Sequence, residues 1–166
     1  AFMLDKAKKS GYEYVEEFKR PNKILKKINP DGLSIISIVT LKTNGGIDIV
    51  SSSLRLQFKD TIIQTILNNG TTTYPFLDKD DNVYTEINNN SLLNINIPKY
   101  EDMIKLSKKL ACEMTEFKEI EWLFTLDDNK IELLGCGMWN NYIFAQKQIY
   151  LNNKNGLYSY YKTKRF

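Results

Sequence analysis

Leu33-Ser34-Ile35-Ile36-Ser37-Ile38-Val39-Thr40-Leu41-Lys42-Thr43-Asn44-Gly45-Gly46-Ile47-Asp48-Ile49-Val50 is the stretch that decides the fold. Two runs rich in β-branched and apolar residues, Leu33 to Leu41 and Ile47 to Phe58, flank Thr43-Asn44-Gly45-Gly46. An Asn-Gly pair between such runs marks a β-hairpin. A third strand is expected at Thr61 to Leu67, after the tight Lys59-Asp60 connection. The three make an antiparallel meander.

Upstream, the alternation from Tyr12 to Glu17 predicts a strand ending at Arg20-Pro21. Ile24, Leu25 and Ile28 predict a short helical turn closed by Asn29-Pro30-Asp31-Gly32. Downstream, Asn68 to Asn96 shifts to Asn, Thr and Asp, with Asn88-Asn89-Asn90, and is expected to be a long loop or surface excursion. An AT-rich gene accounts for the asparagines without invoking function.

Behind Pro98, the residues Tyr100, Met103, Ile104, Ser107, Leu110, Ala111 and Met114 recur at three- and four-residue spacing, so one face of a helix should pack on the sheet. Ile120 to Leu126 and Lys130 to Leu134, joined by Asp127-Asp128-Asn129, predict a second hairpin, apolar enough to be a covered central pair. Met138 to Leu151 is expected to be helical, with Tyr142, Ile143, Gln146 and Tyr150 sharing a face. Tyr158 to Phe166 interleaves tyrosines with Lys162, Lys164 and Arg165 and is expected to be a solvated or partly docked tail. Strands, helix, strands is an α+β pattern: an antiparallel sheet with helices packed against it.

Composition narrows the chemistry. At 166 residues and 19.4 kDa the chain suits one lobe, 1–166, and 42% hydrophobic with 26% charged residues is enough to build a core. No apolar run reaches the ~20 residues of a membrane-spanning helix, and Ala1-Phe2-Met3-Leu4-Asp5-Lys6 is charged too early for a secretory leader, so a cytoplasmic location is expected. Histidine is absent, which excludes within this chain a Ser-His-Asp triad, a Cys-His dyad and histidine-ligated zinc. Cys112 and Cys136 are too few for a four-thiolate zinc site and read as reduced, structural thiols. A net charge of +3, spread along the chain except at its end, does not indicate nucleic-acid binding.

The order of short motifs adds a resemblance. Tyr14-Val15-Glu16-Glu17-Phe18 leads to Lys26-Lys27-Ile28-Asn29-Pro30, then Ser34 to Leu41, the hairpin, and Leu54-Arg55-Leu56. Ile97-Pro98-Lys99-Tyr100-Glu101 opens the helix, and Ile120-Glu121-Trp122-Leu123 with Glu132-Leu133-Leu134-Gly135-Cys136-Gly137 forms the last hairpin. Over residues 10–145 this series resembles the C-terminal half of an ATP-grasp domain, in the branch associated with sugar transfer and cell-surface polysaccharide synthesis; 146–166 would be a helical end and basic tail.

The resemblance implies a fold that holds ATP and magnesium between two lobes and makes an acyl phosphate attacked by an amine. It implies that the strand at 12–17 contacts adenine through its backbone and the ribose through Glu16 or Glu17, and that Arg55 contacts phosphate. It also exposes four departures. Where the family pattern has an arginine, an aspartate, a glutamate and an asparagine, this chain has Ser37, Leu123, Gly135 and Gly137. Magnesium needs hard oxygen donors, which a leucine and two glycines do not supply. Glu132 and Asp127 are nearby acids, but Glu132 stands an odd number of residues from Gly135, so a regular strand would point it to the opposite face.

A preceding lobe with phosphate-binding lysines is also expected, and only about ten residues precede the first strand. Alone, the chain could not enclose a nucleotide. Three readings follow. The first is a degenerate, non-catalytic ATP-grasp-like domain that binds or scaffolds in surface-glycan synthesis, with no cofactor of its own and a missing N-terminal lobe or a glycan-synthesis protein as partner. The second is the C-terminal fragment of an active ATP-dependent carboxylate-amine ligase using ATP and magnesium. The third is a nucleic-acid or membrane-surface module whose salt-dependent binding disappears with Tyr158 to Phe166.

Overall fold

A computed structural model describes residues 9–11, 21–30, 32–58, 61–73, 76–77, 83–84, 86–87, 90–91, 94–138, 146 and 154–164. The strand expected at 12–17, with Glu16 and Glu17, lies outside them, as does the helix expected at 138–151 apart from Met138 and Gln146.

The hairpin forms at the expected place, with its positive φ at Gly46 (φ 123) rather than at Asn44 or Gly45. Strand β1 (Ser34–Thr43) pairs antiparallel with β2 (Gly46–Phe58) across Asn44 and Gly45, and β2 pairs with β3 (Thr61–Asn68). The excursion after β3 is not wholly loop. Among the described residues it contains β4 (Thr71–Thr72), β5 (Phe76–Leu77), β6 (Val83–Tyr84), β7 (Glu86–Ile87) and β8 (Asn90–Ser91). Strands β9 (Glu119–Asp127) and β10 (Lys130–Gly137) form the second hairpin.

The main sheet runs β10-β9-β1-β2-β3-β5-β6, with β4 hydrogen-bonded to β3; β7 and β8 pair separately. This is an α+β fold with an antiparallel sheet. Of the second hairpin, only β9 is central, packed between β1 and β10; β10 ends the path, and its Leu133 is 44% exposed. Among the described residues, β10 therefore has a strand neighbour on one side only.

Directly opposed residues of an antiparallel sheet share a face. One face carries Ile36, Ile38, Leu54, Leu56, Trp122 and Phe124, all buried. Against it lies α2 (Tyr100–Glu113), which buries Tyr100, Met103, Ser107 and Ala111 at the spacing of one helical face. Trp122 satisfies its indole N–H on Thr40 Oγ1 at 2.9 Å. Lys42 Nζ donates to the Met114 carbonyl at 2.5 Å, so a cation meets the C-terminal end of the helix. Gly70, at φ +79, fits where a Cβ would come 2.7 Å from the Tyr100 ring; only glycine supplies both the conformation and the space.

The short helix α1 (Lys23–Ile28) is capped by Asn22, whose side chain accepts from Ile24 N at 2.9 Å. Asn22 N also donates to Leu126 O at 3.0 Å, and Pro21 bridges to Asp127, which fixes this segment to the β9–β10 hairpin. The end of the chain forms a docked helix, α3 (Tyr158–Thr163).

Candidate functional site

The face of the sheet opposite α2 is polar and largely buried. Register places Ser37, Ser53, Leu123 and Gly135 in one row across four strands. Val39, Glu121 and Gly137 occupy the next row on the same face. Arg55 and Gln64 lie in the row on the other side. The four positions singled out in the sequence, Ser37, Leu123, Gly135 and Gly137, thus share a face with Arg55 even though they come from three strands.

At the centre is an ion pair. Arg55 Nη2 donates to Glu121 Oε1, and Ser37 Oγ donates to the same oxygen at 2.5 Å. The side chains of Arg55 and Glu121 are 20% and 8% exposed, so both charges are largely withdrawn from water. Such a pair is retained because each partner answers the other's desolvation. Arg55 Nε is buried without a hydrogen-bond partner. Alongside, Gln64 Nε2 donates to Ser53 Oγ at 2.7 Å. Arg55 is therefore not an open surface arginine; its guanidinium is committed to a carboxylate that sequence reasoning passed over. Glu121 alternates in register with Leu123 along β9, and that two-residue spacing was the signal available for it.

The expected orientation of Glu132 is corrected by a bulge. Leu133 pairs with Phe124 and Gly135 with Leu123, which leaves Leu134 as an extra residue on β10. Glu132 consequently pairs with Thr125 and shares the polar face with Leu123 and Gly135. Nothing lies within 4 Å of a Cβ built on Gly135 or Gly137, so these positions are spatially open.

Leu123, Gly135 and Gly137 offer no side-chain oxygen, and Glu121 Oε1 already accepts from Arg55 and Ser37. This donor set does not fit magnesium at the expected positions. Among the described residues no cluster of three or more His, Cys, Asp or Glu is arranged to hold a metal, and no helix is long and apolar enough to cross a membrane. Cys112 and Cys136 are free and exposed, so neither thiol is a buried packing residue.

The basic, aromatic tail lies at the end of the same polar face. Asp48 and Glu119 both oppose Leu41, one from each neighbouring strand. Tyr160 Oη donates to Asp48 at 3.4 Å, Tyr161 Oη to Glu119 at 3.2 Å, and Lys164 pairs with Asp48. Burial, followed by the charge of Asp48, raises the Tyr160 phenol to about 12; burial and Glu119 push Tyr161 higher still. Asp48 is lowered chiefly by its hydrogen bond from Lys164. Comparison with protein-family models, with curated proteins and with solved structures finds no match to this chain, so function must be read from this geometry.

Proposed function

We propose that this chain is a non-catalytic binding lobe: an ATP-grasp-like frame whose nucleotide face has been closed by an internal ion pair. Its work would be to bind or scaffold a partner in cell-surface polysaccharide synthesis, a setting that follows from the sequence resemblance alone. One observation carries the reading. The positions where the family pattern has charged or amide side chains converge on one face as hydroxyl, isobutyl and hydrogen, while Glu121 takes up Arg55. A polyphosphate brought there would meet the Glu121 carboxylate, and displacing that carboxylate would leave a buried charge unpaired.

The reading is tested by isothermal titration of the purified chain with ATP, with and without magnesium. The expected result is no tight magnesium-dependent binding, any residual affinity being unaffected by the metal. A second reading, the ligase fragment, is favoured by the bulge that places Glu132 on the face of Glu121 and Gly135. Tight magnesium-dependent binding lost in Asp127→Ala or Glu132→Ala would establish that reading and overturn the first.

A further inference from the structure

The sheet is notched between β2 and β3. The β1–β2 ladder extends to Thr43↔Gly46, but the β2–β3 ladder stops at Ser53↔Ile66. Beyond it, β3 turns through Asn69 (φ 48) and Gly70 (φ 79) into β4, which pairs back on β3 at Leu67↔Thr72. Among the described residues, 46–52 therefore have a strand neighbour on one side only. In an antiparallel strand alternate residues direct N–H and C=O to each side, so this segment presents unpaired backbone groups toward the notch. Where a ladder bond would continue, Ser52 Oγ donates instead to Leu67 O at 3.2 Å.

A cavity of about 360 Å³ opens in the notch, lined among others by Val50, Ser51, Ser52, Asn68, Tyr100 and Glu101. Its polar side chains are hydroxyls and the amides of Asn68 and Asn69, and its one charge is the carboxylate of Glu101. Ser52 Oγ and Tyr100 Oη lie 2.7 Å apart, and either hydroxyl can donate to the other. Glu101 adds an exposed carboxylate that has no ion pair among the described residues.

We propose that this notch binds an extended peptide carrying a lysine or arginine, which adds as a strand to residues 46–52 and places its basic side chain in the cavity. Backbone hydrogen bonding would supply the docking, and the Glu101 carboxylate at the cavity the choice of side chain. A second copy of the chain is a poorer occupant. Residues 46–52 read Gly-Ile-Asp-Ile-Val-Ser-Ser, so edge-to-edge pairing would supply no basic residue from this segment. The inference does not rest on the ATP-grasp-like reading.

The probe is a blocked seven-residue peptide alternating Thr and Val with Lys at its centre, compared with the same peptide carrying central Glu and with one N-methylated at alternate residues. Titration should show the Lys peptide binding about tenfold tighter than the Glu peptide, and the N-methylated peptide not binding. Amide hydrogen exchange should slow at alternate residues of 46–52. Glu101→Gln should remove the preference for Lys while moving the thermal midpoint by no more than a few degrees, since Glu101 is exposed and, among the described residues, has no ion pair beyond its place in the first turn of α2. Protection elsewhere, equal binding of the Lys and Glu peptides, or binding by the N-methylated peptide would overturn the proposal. So would self-association that protects 46–52 without peptide, which would assign the edge to a second copy.

Discussion

Glu121 is the residue on which the polar face turns. It is buried on a central strand, accepts from both Arg55 and Ser37, and answers a guanidinium whose Nε has no hydrogen-bond partner among the described residues. Removing one member of a buried pair strands the other's charge, which costs about 3–5 kcal/mol when burial is complete. With Arg55 one-fifth exposed, water can recover part of that, so Glu121→Ala should destabilise the chain by roughly 2–3 kcal/mol. Arg55→Met combined with Glu121→Leu should recover most of the loss, because apolar replacement of both partners leaves no orphaned charge. Urea unfolding of the two single variants and the double variant measures this as a cycle. Simple additivity of the single effects would mean that the two side chains are not coupled.

At the scale of the element, α3 shows how residues 158–163, part of a stretch that reads as a basic tail, become a docked helix. Its tyrosines reach Asp48 and Glu119, which flank Leu41 on neighbouring strands, and Lys164 adds an ion pair to Asp48. The acceptors belong to strands more than forty residues away in sequence, so local pattern could not disclose them. Docking should depend on pH at both ends of the scale. Tyr160 is raised from 10.0 to about 12, so its contribution is complete below pH 10 and is lost as pH climbs from there through about 12. Asp48 is lowered from 3.8, so its contribution is present above that value and is lost as pH falls through the lower, folded one. Tyrosinate absorbance of the wild type minus that of Tyr160→Phe should show a phenol titrating well above 10.0, and Asp48→Asn should speed proteolytic cleavage at 158–166 several-fold. A difference titration centred on 10.0 would show that α3 does not dock in solution.

For the whole molecule, what was legible in the sequence follows the range of the forces involved. The Asn44-Gly45 hairpin, the meander and the buried stripe Tyr100, Met103, Ser107, Ala111 are local patterns, and each stands as read. The bulge at Leu134 was not legible, because an extra residue is set by pairing with a partner strand; it reverses the face on which Glu132 emerges. The same pairing brings Ser37, Leu123, Gly135 and Gly137 together, and this convergence permits a test of the frame. Gly135 and Gly137 have no neighbour within 4 Å of an added Cβ, and neither has a positive φ, so side chains can be installed there without steric conflict. Leu123 is only partly buried. The combined variant Leu123→Asp, Gly135→Glu, Gly137→Asn should therefore fold with a thermal midpoint within a few degrees of the wild type. Placing two carboxylates and an amide on one face beside Arg55 should also create a magnesium site that the wild type lacks, because these are the hard oxygen donors the metal requires. Magnesium titration followed calorimetrically, in the absence of nucleotide, separates the two outcomes. Metal binding that is lost again on returning position 135 to glycine supports the ATP-grasp-like assignment of these positions; a folded variant with no magnesium affinity removes the structural basis of that assignment.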